Sequence, residues 1–113
     1  MQFAIRMTTN DDAWAALSPA EQAHVLDQHR DFTAALKAEC RFVTAWGMFP
    51  ARDGRTGNRD TSGTFTVREG SSSGTADPIG GVYVIEAESM DEAVEWAERG
   101  RFIPADNEVR QVQ

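Results

Sequence analysis

Cysteine occurs once, at Cys40, and histidine twice, at His24 and His29. A lone cysteine excludes an internal disulfide, which fits a reducing compartment. Two histidines five residues apart turn to different faces of a helix, so no metal site is expected. Basic residues are scarce: 11 Lys and Arg stand against 18 Asp and Glu, for a net charge of −7. An acidic surface repels phosphate, so neither nucleic acid nor an anionic membrane is an expected partner. No apolar run approaches the roughly 20 residues of a spanning helix. The start, Met1 to Arg6, lacks a basic segment followed by an apolar stretch. No signal peptide is therefore expected, and the expected location is the cytoplasm. Gly80-Gly81 precedes a strand pattern, whereas a phosphate-binding turn follows a strand and opens a helix. Nothing calls for a cofactor.

What is present suits a small folded unit. The 113 residues are 41% hydrophobic and include Trp14, Trp46 and Trp96, enough for a modest core in one domain, 1–113. Met1, Phe3, Ile5 and Met7 alternate with Gln2, Ala4 and Arg6, the period of a half-buried strand. Ala13 to Leu17 suits a short helical turn. Ser18-Pro19-Ala20-Glu21 is a capping box with proline at the first helical position. Val25, Leu26, His29, Phe32, Thr33, Leu36 and Cys40 then form one stripe of a helix ending near Glu39.

Arg41 to Phe49 is rich in Phe, Val, Thr and Trp and reads as a strand buried on both faces. Gly47 within it points to a bulge or a close backbone approach. Ala51 to Gly63 reads as a polar loop, and Thr64 to Arg68 as a short strand around Phe65 and Val67. Val82-Tyr83-Val84-Ile85 is the clearest strand. Ser89 to Glu92 reads as a second capping box, followed by a helix face of Met90, Ala93, Val94 and Ala97 that stops at Gly100. Glu108 to Val112 reads as the last strand.

The order β-α-β-β-β-α-β predicts an α+β ferredoxin-like sandwich, with helices on one face of an antiparallel sheet. The short strand at Thr64 to Arg68 is an addition to that plan. Two helices cover one face only, so a homodimer is expected to cover the other.

The run Gly80-Gly81-Val82-Tyr83-Val84-Ile85-Glu86-Ala87, continuing through Ser89-Met90-Asp91-Glu92 to Ala97, resembles the signature region of the YCII-related proteins. More narrowly, it resembles their branch with an Asp-Gly-Pro-Phe motif. Ala15 to Glu21, His29 to Leu36 and Glu108 to Val112 match that family in the same order. The resemblance implies a ferredoxin-like fold, a dimer, and a histidine and an aspartate facing a cleft as a catalytic pair. It also implies kinship with proteins that remove chloride from chlorinated aromatic ring-cleavage or hydroxyquinone-type intermediates. Genes of the branch often lie beside extracytoplasmic-function sigma factors, which implies a link to regulation. The Asp-Gly-Pro-Phe motif itself is absent. Asp77-Pro78 is either its remnant or the segment just before the Gly-Gly strand, with the motif lost from a shortened Ser71–Thr75 region; the second alignment fits better.

The candidate site follows. His29 lies in the apolar stripe, where a neutral imidazole can accept a proton and a carboxylate can orient it. Its structural alternative is a histidine bonded within the core or an interface. Asp77 is the named carboxylate, against a plain turn role before Pro78. Arg6 is a candidate for a substrate carboxylate or enolate, against a salt bridge. Trp46 and Tyr83 are candidates to flank an aromatic substrate, against core or interface packing. Arg52, Arg55 and Arg59 read as a solvated loop diluted by Asp53 and Asp60, Cys40 as a buried thiol, and His24 as solvated. Two readings result: a small enzyme with His29 as proton acceptor, or a non-catalytic ligand-binding or interaction module. A structural dimer docking on a larger enzyme or regulator is a third.

Overall fold

The computed structural model describes residues 1–70, 79–100 and 106–113. Its elements are β1 (Gln2–Thr8), α1 (Asp11–Ala16), α2 (Pro19–Ala38), β2 (Phe42–Gly47), β3 (Arg55–Arg59), β4 (Phe65–Glu69), β5 (Ile79–Glu86), α3 (Met90–Arg99) and β6 (Asn107–Gln111), with a single 3-10 turn at Ala51–Asp53. Strands β2-β5-β1-β6 form one antiparallel sheet in that order, as a ferredoxin-like sandwich requires. Strands β3 and β4 pair apart from it as a two-stranded ribbon. Among the described residues no helix is long and apolar enough to cross a membrane.

Alternation on β1 sends Phe3, Ile5 and Met7 to the helical face. Their partners Ile85 and Tyr83 on β5 share that face by register. Phe32 and Leu36 of α2, with Ala93, Trp96 and Ala97 of α3, close the core over them. Phe32 stands edge-on to both Tyr83 and Trp96, at ring-centre distances of 5.0 and 6.2 Å. The opposite face carries Ala4, Arg6, Trp46, Val82 and Val84 by the same register.

The capping box of α2 forms as read: Ser18 Oγ accepts from the Glu21 N–H at 3.1 Å, and the Glu21 carboxylate accepts from the Ser18 N–H at 2.9 Å. Several sequence expectations are corrected. Strand β2 is not buried on both faces; it is the edge of the sheet, and Val43 is 38% exposed. Its irregularity falls between Phe42 and Thr44, not at Gly47. Residues 51–63 are not simply a loop: they hold the 3-10 turn and β3, whose sequence Arg-Thr-Gly-Asn-Arg has no apolar signal and becomes a strand by pairing with β4.

Cys40 is exposed rather than buried. It follows α2 with φ +55°, its N–H bonding the Lys37 carbonyl while the Arg41 N–H bonds that of Leu36. This is a Schellman ending with cysteine in the place glycine usually holds, so the chain has left the helical stripe before Cys40. At α3, Ser89 caps Glu92 as read, but the Glu92 carboxylate accepts from the Glu88 N–H at 2.8 Å and pairs with Arg41 at 2.9 Å. The second capping box is therefore half formed. The buried face of α3 is Ala93, Trp96 and Ala97; Met90 and Val94 are exposed.

Candidate functional site

The site grows from the one buried tyrosine on the helical face of the sheet. Tyr83 lies on β5, between β1 and β2, and is 4% exposed. A buried phenol needs a hydrogen-bond partner. His29 supplies one because it lies one helical turn from Phe32, on the side of α2 that meets the sheet. Its Nδ1 stands 2.8 Å from Tyr83 Oη, and the two rings lie nearly parallel at 5.9 Å between centres. Tyr83 Oη also donates to the His29 carbonyl at 3.5 Å. If that carbonyl takes the phenol proton, the Nδ1 contact is satisfied by Nδ1–H donating to Oη. The ring is then the tautomer whose Nε2 carries the lone pair.

Burial sets the charge state of both groups. Desolvation lowers the His29 pKa below its usual value, and it raises that of Tyr83, an effect partly offset by a hydrogen bond from Thr33. Between those limits the pair is neutral on both sides: an imidazole able to take a proton, beside a phenol that keeps its own.

His29 and Tyr83 line a cavity of about 590 Å³ between the start of α2, α1 and the β2 end of the sheet. Most of its remaining wall is apolar: Met7, Trp14, Val25, Leu26, Ala45, Met48 and Phe49. Two glycines shape it where β5 begins. A Cβ on Gly81 would stand 3.0 Å from the Trp46 carbonyl and 3.2 Å from Met7, and one on Gly80 would stand 2.5 Å from Thr9. The Gly80-Gly81 pair thus admits neighbouring chain rather than phosphate. The cavity opens to solvent past Phe49, which is 91% exposed. Asp11, half-buried at the first turn of α1, is the only charged side chain among the described lining residues. Its N-cap Asn10 accepts from the Ala13 N–H at 2.8 Å and so fixes where α1 begins.

The sequence candidates separate as follows. His29 and Tyr83 line the cavity together; Trp46 borders it from the edge strand, but the register puts its side chain on the opposite face of the sheet. Arg6 does not reach it: it lies on the opposite face of the sheet, paired with Glu108 at 2.7 Å. Asp77 falls outside the described residues. His24 is exposed. Asp11 and Trp14 were not singled out in the sequence. The available signal was the helix start at Asn10-Asp11-Asp12, which marks a first turn but not a cavity wall. Among the described residues no cluster of His, Cys, Asp and Glu could hold a metal ion.

Comparison with known proteins places the chain in context. A family profile described as the YCII-related domain matches residues 1–113. No curated protein matches the chain. Among solved structures, the 5-chloro-2-hydroxyhydroquinone dehydrochlorinase TftG from Burkholderia phenoliruptrix AC1100, in complex with 2,5-dihydroxybenzoquinone, is similar in fold. Its TM-score is 0.54 at 18% identity, over 100% of this chain and 94% of that one.

Proposed function

The chain belongs to the YCII-related domain family, and from that premise we propose that it is a small enzyme performing lyase chemistry of the dehydrochlorinase kind on a planar organic molecule. The observation that carries the reading is the His29–Tyr83 pair, 2.8 Å apart on the wall of an apolar cavity. His29 Nε2 takes a proton from the bound molecule while Tyr83 Oη, accepting from Nδ1–H, holds the ring and steadies the imidazolium that forms. Chloride leaves with the electron pair of its carbon–chlorine bond. The net change is loss of HCl, and no oxidant or reductant is needed. Trp14 and Phe49 supply the faces a flat ring stacks on. Asp11 adds an acidic group on the cavity wall; Asp77, the carboxylate named from the sequence, stays a candidate partner of His29. The fold neighbour acts on a chlorinated hydroxyhydroquinone and binds 2,5-dihydroxybenzoquinone, so the first substrates to test are chlorinated hydroxyhydroquinones.

The reading includes a homodimer and a cytoplasmic location. The dimer is supported by the sheet face opposite the helical core, where Trp46, 48% exposed, lies with Val84. The test of the chemistry is chloride release from such substrates. His29→Ala is expected to slow it by roughly a hundredfold to ten-thousandfold. Wild-type-like release in that variant defeats the reading.

A second reading is favoured by one observation. Leu26, Met48 and Phe49, all on the cavity wall, are largely exposed, as suits a groove that binds without reacting. On that reading the protein is a non-catalytic ligand-binding or interaction module, with a role beside a sigma factor as one form of it. Ligand binding that survives His29→Ala, with no turnover in any variant, selects it.

A further inference from the structure

The ribbon of β3 and β4 takes no part in the site described, yet it is built with care. Among the described elements its strands pack substantially only on each other. By register Arg59 faces Phe65 and Gly57 faces Val67, so these four residues share one side of the ribbon. The Phe65 ring lies directly over Gly57 and leaves no room for a Cβ there. The Arg59 guanidinium lies over the same ring at 5.0 Å, and its Nη1 donates to the Gly63 carbonyl at 2.8 Å. The Asp60 carboxylate ties the turn through Ser62 and Thr64. The base is closed by the Gly70 N–H to the Gly54 carbonyl and by Thr56 Oγ1 to the Gly70 carbonyl. This is a preformed arm that presents an apolar side, with Phe65 and Val67 each 56% exposed.

We propose that the arm of one copy docks its Phe65–Val67 side on the open mouth of a second copy's cavity, against Leu26 and Phe49, so that each site is completed by its partner. The two surfaces are complementary in kind: a half-exposed apolar stripe meets an apolar wall that is open to solvent. They are also complementary in charge. Residues 51–70 hold four arginines, at 52, 55, 59 and 68, against three carboxylates, at 53, 60 and 69, in a chain of net charge −7. The cavity's charged side chain is Asp11, with Asp12 beside it in the first turn of α1. None of the described arm residues 51–70 lines the cavity of its own chain, although the arm follows directly on Pro50, which does.

The proposal rests on the cavity being the ligand site but not on the chemistry done there. Its test uses full-length chains carrying Cys40→Ser, so that introduced thiols are the only ones. One tagged chain carries Phe65→Cys and a differently tagged chain carries Leu26→Cys; they are mixed and oxidised. The expected result is a disulfide between the two chains, formed at least roughly tenfold more than with Arg68→Cys on the ribbon's other side. Phe65→Ser with Val67→Ser is expected to weaken self-association by roughly tenfold or more. No linkage above that control overturns the proposal. So does closure of the disulfide within a single chain carrying both cysteines. Linkage without chloride release leaves arm docking standing and removes the chemistry; chloride release by a monomer does the reverse.

Discussion

His29 and Tyr83 are held neutral by the same burial, and the two ends of that neutrality are separately measurable. His29 is depressed in the folded chain, so between its folded and unfolded values the unfolded chain binds more protons. Its contribution to stability is therefore full above about pH 6.5 and falls as pH drops through that window. Tyr83 is raised, so its contribution is full below about pH 10 and is lost as pH climbs through the folded value. Denaturant midpoints measured across pH are expected to decline at both ends, with the acid decline reduced in His29→Ala and the alkaline decline reduced in Tyr83→Phe. Declines unchanged by both substitutions contradict the burial assigned to the pair. His29 was legible in the sequence because helical spacing placed it on the stripe with Phe32 and Leu36. Its bond to Tyr83 was not, since the two are 54 residues apart and only the sheet order joins them. Asp11 was illegible for a related reason: its place on the cavity wall depends on where α1 lies, and six residues of helix with none buried carry no periodic signal.

At the scale of elements, boundaries follow local chemistry and burial follows neighbours. The start of α2 was readable because Ser18, Pro19 and Glu21 act within one turn. Its end hid a left-handed residue, Cys40, that side-chain periodicity does not report. Glycine tolerates φ +55° without the Cβ crowding that cysteine meets. Cys40→Gly is accordingly expected to stabilise the fold by about 0.5–1 kcal/mol, net of the extra unfolded-state freedom of glycine. Thermal denaturation checks it: Tm rises by several degrees, about 4–8 °C per kcal/mol for a domain near this size. A fall in Tm contradicts the Schellman assignment. Strand β2 shows the other half of the rule. Its residues have strand propensity, but propensity does not say whether a strand is central or at the edge, and the edge position exposes what composition alone would bury. Strand β3 has the opposite history, with no propensity and a partner that makes it a strand.

The whole molecule is 18 Å in its thinnest dimension, against 48 and 38 Å in the others. That fits a four-stranded sheet with its helical core on one face, and the other face carries Trp46, 48% exposed, and Val84. Sedimentation is expected to give twice the chain mass. Val84→Glu, which puts charge on that outer face opposite Ala4 and Thr44, is expected to shift the protein towards monomer while leaving its circular dichroism unchanged. An assembly unaffected by that charge places the interface elsewhere. The ferredoxin-like class was readable at this scale, from the order β-α-β-β-β-α-β with one short strand set apart, because such chains have few ways to close with right-handed crossovers. The arm was readable only as one strand, because its significance lies in what it does not touch.

His29, as a neutral base on the wall of a ligand site, is the residue on which the proposed function depends. The measurement that reaches this most directly is the NMR titration of the His29 imidazole, with and without 2,5-dihydroxybenzoquinone. The predicted result is a pKa below the usual histidine range, an Nδ1–H tautomer that changes in Tyr83→Phe, and ring resonances that shift as the ligand binds. An ordinary titration, with ring resonances indifferent to bound ligand, would contradict it.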